Sequence, residues 1–169
     1  MSLSMHQASV PVFLRALDNL HVVLVKGAAH AKSKNVSDAV MLSTRLIPDM
    51  YPLSRQVQIA CDIACRGAAR LAGAEPRSFP DTEQTFDELL ARIDTAKSYI
   101  RSFAAADIND SEERQITLKT GGRECTFRGQ DFLCHFVLPN IFFHCTTAYN
   151  ILREAGAALG KADFIGPQP

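Results

Sequence analysis

Asn140 and His144 stand one helical turn apart within the apolar stretch LPNIFFHCTTAYNILR, residues 138–153. No other part of the chain joins side-chain type and spacing in a way that so readily suggests chemistry. An imidazole can ligate a metal, move a proton or accept a hydrogen bond. An amide four residues earlier on a helix shares its face. Tyr149 follows on the same helix, and polar side chains on inward or partly inward faces of other helices are His21, Gln56, Gln58 and Asp62. His144, Asn140, Tyr149, Gln56 and Gln58 form the candidate ligand-binding set.

The metal candidates are His144, Asp62, His21 and Asn140, and they make a doubtful site. A catalytic divalent cation takes about three protein ligands and keeps a position open. Amide oxygens are poor substitutes for imidazole toward transition metals. The competing reading is a structural His144 that hydrogen-bonds a neighbour, because a buried polar group without a partner is costly. Asp62 has a competing reading too, since Arg66 one turn later makes an ordinary surface pair with it.

Other chemistries lack their motifs. The chain has no GxSxG elbow, no glycine-rich phosphate loop and no HExxH. Cys145 follows His144 and His135 follows Cys134, but adjacent residues on a helix point in different directions, so neither makes a Cys–His pair. Cys61 and Cys65, one turn apart among Ala and Ile, read as small core hydrophobes. Five cysteines with no two-residue spacing argue against a disulfide framework or zinc knuckle.

Four helices are needed to position these residues. Val10, Phe13, Leu14, Leu17, Leu20, Leu24 and Ala28 mark helix one, about 4–30, with His21 on the inward stripe. Pro11 there requires either a first-turn position or a bend. Residues 31–50 are a long connection with a helical turn near 39–43. Helix two spans about 52–72, entered through two prolines and closed by Gly73 and Pro76. Thr85–Glu88, TFDE, is a capping box that opens helix three, which ends near residue 105. Its Asp87, Arg92, Asp94 and Lys97 are expected to face water.

RQITLKT and RECTFRG flank Gly121–Gly122 and alternate as a hairpin does, with Ile116 and Leu118 on one side of the first arm and Cys125 and Phe127 on one side of the second. Helix four, about 130–154, follows, and Pro139 in its interior should bend it. It is apolar around most of its girth, as befits a central helix or one shared with a second subunit. The tail, ALGKADFIGPQP, reads as an extended strap. The fold class is therefore mainly α: a four-helix bundle with a long first crossover connection and a small β-hairpin before helix four, in a single domain spanning residues 1–169.

Eighteen basic and eighteen acidic residues cancel, so nucleic acid and membrane are not expected partners. No apolar run is expected to reach the roughly 20 residues of a spanning helix, and MSLSMHQASV lacks a secretory pattern. A cytoplasmic location is the expectation.

PDMYPLSRQVQ, LPNIFFHCTTAYNILREAG and LGKADFIG together resemble a domain-of-unknown-function family of bacteria and fungi grouped with the DinB/YfiT-like metalloenzyme superfamily. The resemblance covers nearly the whole chain. It implies a DinB-like four-helix bundle, often a homodimer. In the wider superfamily it implies a divalent metal held by one histidine of helix two and two histidines one turn apart on helix four, with thiol-dependent transfer among the reactions. Here the helix-four pair is Asn140 and His144, and helix two offers Gln56, Gln58 and Asp62 but no histidine. The function is thus expected to be a small-molecule pocket around helix four with a degraded or absent metal site. The alternatives are a divalent-metal enzyme of the DinB type, with zinc or nickel, and a non-enzymatic dimer in which the polar residues set helix register. No cofactor is the first expectation, and substrate and pathway are not legible.

Overall fold

The computed structural model describes residues 3–167, so residues 1 and 2 of the start and 168 and 169 of the expected strap lie outside the described residues. Helix α1, Met5–Ser33, begins where Ser4 accepts the Gln7 backbone N–H and the Gln7 side chain accepts that of Ser4. Pro11 lies beyond the first turn on an exposed face, where the carbonyl it leaves without a partner can reach water. Buried Phe13, Leu17, Leu20 and Leu24 face the core. His21 is half-buried at the edge of that stripe rather than inside it. At 29 residues α1 is long and apolar enough to cross a membrane by length and composition, contrary to expectation, but a core helix of a bundle meets the same test, and 44% of its most apolar window is buried here.

The crossover carries the expected short helix, α2 (Asp38–Ser43). Its Asp38 carboxylate accepts the backbone N–H of Phe86, the first residue of α4 (Phe86–Arg101). Between them runs α3, Leu53–Leu71, with Pro52 as N-cap and Gly73 in the left-handed region. The Thr85/Glu88 capping box is present at α4. That helix stops four residues earlier than the sequence suggests, and a separate turn, α5 (Ala105–Ile108), follows.

Strands β1 (Gln115–Thr120) and β2 (Arg123–Arg128) pair antiparallel, with Ile116 opposite Phe127 and Leu118 opposite Cys125. Gly121 and Gly122 both take positive φ, as a two-residue turn between twisted strands requires. The hairpin runs into a helix in three parts: α6 (Gly129–Asp131), a π-helical segment (Phe132–Val137) and α7 (Leu138–Glu154). The bend expected at Pro139 is thus taken up as a widened turn just before it. α3 packs against α7 and α4, and α1 also packs against α4 and α7, which closes a four-helix ring. The strap folds into a short helix, α8 (Lys161–Ile165), against α1, because Gly160 donates its N–H to Asp163 and starts a turn.

Arg92 corrects the expectation of a solvent-facing residue: it is 5% exposed. Its guanidinium meets Asp62 at 2.7 Å, Glu83 at 2.8 Å and Asp81 at 3.0 Å, and donates to the Pro80 carbonyl. Three carboxylates together overcome the cost of burying the cation. Lys97 is likewise not free in water, since it reaches across to Asp18 on α1 at 2.7 Å.

Candidate functional site

Gln56 sits in the first turns of α3, and His144 lies in the middle of α7, on the flank that faces α3. Both are buried, 1% and 8% exposed, and the Gln56 Oε1 lies 2.7 Å from His144 Nδ1. The Gln56 amide Nε2 donates to the carbonyl of Tyr51 at 3.0 Å. That second bond fixes which way the amide points, so its oxygen must accept and Nδ1 must carry the proton. The Tyr51 carbonyl therefore selects the tautomer of His144 through Gln56.

Burial pushes the His144 pKa down from 6.5 to about 4, with the nearby Arg55 guanidinium adding to the effect. The ring is neutral at pH 7, and its Nε2 carries a lone pair. Nε2 has no protein partner among the described residues, and it is not one of the two side-chain polar atoms sealed away without one. It keeps an edge on solvent. Arg55 holds Asp81 and lies over the Tyr51 ring, 6.0 Å from its centroid, so a cation and an aromatic face stand on the same side of the bundle.

The other candidates go elsewhere. Asn140 donates its amide to the Phe136 carbonyl at 2.6 Å, one turn back on its own helix. Gln58 donates to Glu83 at 2.8 Å and belongs to the Arg92 network. Asp62 is 6% exposed, no surface pair, and is engaged by both Arg92 and Arg66. Tyr149 lies on the opposite flank of α7, edge-on to Phe164 of the strap at 6.1 Å. His21 is half-buried on α1, and no side-chain hydrogen bond links it to the other candidates among the described residues. Of the five ligand candidates only Gln56 and His144 touch.

The donors do not fit a divalent cation. The Asp62 charge is matched by two guanidinium groups, Gln56 spends its oxygen on His144, and Asn140 turns its amide toward the backbone. Among the described residues no three His, Cys, Asp or Glu side chains converge so that they could hold a metal ion, and the three carboxylates that do gather are spent on Arg92. Cys61, Cys65 and Cys145 are buried free thiols, and burial raises the pKa of Cys65 and of Cys145 to about 12. They remain protonated hydrophobes rather than soft ligands or nucleophiles.

Arg55, Arg92 and the Tyr51 carbonyl are participants that sequence reasoning did not single out. Arg92 had one available signal, a cation between the buried Leu89 and Ile93 on a stripe. A backbone carbonyl has none.

No curated protein matches this sequence. The crystal structure of a DinB family member protein from Shewanella denitrificans is similar over 97% of this chain and 93% of its own, at 37% identity and a TM-score of 0.87. The shared ring of helices, the hairpin before the last long helix and this likeness agree on a DinB-like fold. The profile of DUF1993, a domain of unknown function, matches residues 5–165, and the chain belongs to that family.

Proposed function

We propose that this protein is a small-molecule-binding DinB-like bundle that works without a resident metal. The hydrogen-bonded series from the Tyr51 carbonyl through Gln56 to His144 carries this reading. It holds a neutral imidazole whose Nε2 lone pair has no protein partner among the described residues, near the Arg55 cation, which itself lies over the Tyr51 ring. Such an arrangement accepts a hydrogen bond from a ligand hydroxyl or amide N–H, while a weakly basic ring takes no proton from it near neutrality. In a metal enzyme a carboxylate or carbonyl behind a ligating histidine serves the same orienting purpose. Here the orienting partner stands without the two further ligands.

A ligand screen by thermal shift, with wild type and His144→Ala side by side, tests the proposal. Compounds that raise the melting temperature of wild type alone support it. A hit list identical for both proteins refutes it. Elemental analysis of protein purified without chelator tests the metal part, and stoichiometric zinc or nickel that His144→Ala abolishes would overturn it.

A homodimer accompanies this reading, supported by Phe142 and Phe143, 41% and 55% exposed beside Leu46, Met50 and Pro139 in a shallow apolar depression. Light scattering that finds a monomer at micromolar concentration removes this part. Free cysteines, three of them buried, support a reducing compartment such as the cytoplasm.

A further inference from the structure

A cavity of about 230 Å³ lies on the opposite flank of α7 from His144, between α1 and the strap helix α8. Its walls are Ala16, Leu20, Val23, Phe142, Cys145 and Phe164, and two polar residues, Arg15 and Asn19, stand at its rim. Both belong to α1 and both hold the strap. Arg15 Nη2 donates to the carbonyls of Ile165 and Pro167, and Asn19 Nδ2 donates to that of Phe164 at 2.9 Å. Lys26 adds an ion pair to Asp163 at 2.6 Å. Gly166 takes φ +78° beside this clamp, where a side chain would be strained, and a Cβ would also displace the Asn19 amide, whose Oδ1 lies 2.2 Å from its position.

Arg15 contrasts with Arg55, Arg66, Arg92 and Arg128, which are all paired with carboxylates. It has no acidic partner within ion-pair distance among the described residues, and both its bonds leave from Nη2. Three of its five N–H groups, on Nε and Nη1, are unused, and each can donate singly to a carboxylate oxygen. The cavity therefore joins an apolar interior to a cation with donors to spare at its mouth. An apolar cavity of about 150 Å³ accommodates benzene, so this one takes roughly nine or ten non-hydrogen atoms.

We propose that the cavity between α1, α7 and α8 binds a medium-chain carboxylate, with the apolar body against Phe142 and Leu20 and the carboxylate on Arg15. The site is independent of His144. The neutral Cys145 thiol fits this occupant, since it offers only a polarizable apolar surface.

Calorimetric titration of the full chain with octanoate, 1-octanol and octylamine tests this. Octanoate is expected to bind at least tenfold more tightly than octylamine. Ala16→Leu, which fills the cavity from α1, is expected to weaken octanoate by more than tenfold. Arg15→Gln should erase the preference for octanoate over octanol while octanol still binds. His144→Ala should leave octanoate affinity unchanged, which separates this site from the one proposed above. Absence of octanoate binding at millimolar concentration in a protein that melts cooperatively overturns the inference, as does equal binding of octanoate and octylamine. A dimer that Ala16→Leu dissolves, with no octanoate binding, also overturns it by making a second copy the occupant.

Discussion

Lowering the pH through the titration range of His144 should destabilise the fold by an amount that can be worked out. An unfolded histidine takes up its proton below 6.5, whereas His144 in the folded protein does so only near 4, because burial and Arg55 oppose its charge. Between these values the unfolded chain holds the extra proton. Stability contributed above pH 6.5 is therefore lost as pH falls toward 4, and no more is lost below that. A displacement from 6.5 to about 4 corresponds to ~3.5 kcal/mol at roughly 1.4 kcal/mol per pH unit. Urea unfolding of wild type and His144→Gln at pH 7.5, 6, 5 and 4.5 isolates the effect, since all other titrating groups cancel in the difference. The wild-type advantage should shrink by most of that figure across the series. Nitrogen-detected NMR at neutral pH should find the proton on Nδ1 and a bare Nε2. Gln56→Leu, which removes the acceptor, should let the proton distribute between the two nitrogens. Parallel stability curves for the two proteins, or a His144 midpoint above pH 6, would refute the reasoning.

Three further perturbations follow from the same geometry. Arg92→Leu strips Asp62 and Glu83 of a buried partner and should cost about 3 kcal/mol in urea unfolding, with Arg92→Lys recovering only part because an ammonium cannot span all three carboxylates. A Cβ on Gly129 would lie 1.9 Å from the Ser111 carbonyl oxygen, so Gly129→Ala should lower the melting temperature by several degrees, roughly 2–3 kcal/mol, where Gly160→Ala should not. The double variant Gln56→His, Asn140→His supplies two further imidazoles around His144 and should bind zinc at least ~10-fold more tightly than wild type in calorimetry.

The bundle was legible in the sequence wherever local chemistry decides structure. Thr85 and Glu88 cap α4, Gly73 ends α3 and the two glycines turn the hairpin, all through neighbours a few residues away. The site was only half legible. His144 and Gln56 were nameable from their polarity on apolar faces, but which flank of α7 meets α3 and which meets α1 depends on the order of packing in the ring. Tyr149 could not be separated from His144 on that basis, although the two point to opposite flanks. Arg92 reads as a surface cation because its partners come from another helix and a loop, Asp62 thirty residues away and Glu83 nine. Periodicity has no means of seeing such a network.

The π segment Phe132–Val137 has a consequence for how this helix tolerates change in length. A π turn is equivalent to one residue inserted into an α-helix, and its wider turn absorbs the rotation of about 100° that the extra residue would otherwise impose on everything beyond it. The buried positions record this: they advance by four through Leu133, Val137 and Ile141, then alternate by three and four through His144, Ala148 and Ile151. The segment is thus a phase adjuster between the hairpin-bound start of the helix and its His144 half. Deleting one residue within 132–137 would relax it to an ordinary α-helix and leave the imidazole facing Gln56. An insertion nearer the C-terminus, beyond Ile151, would leave that pairing in place.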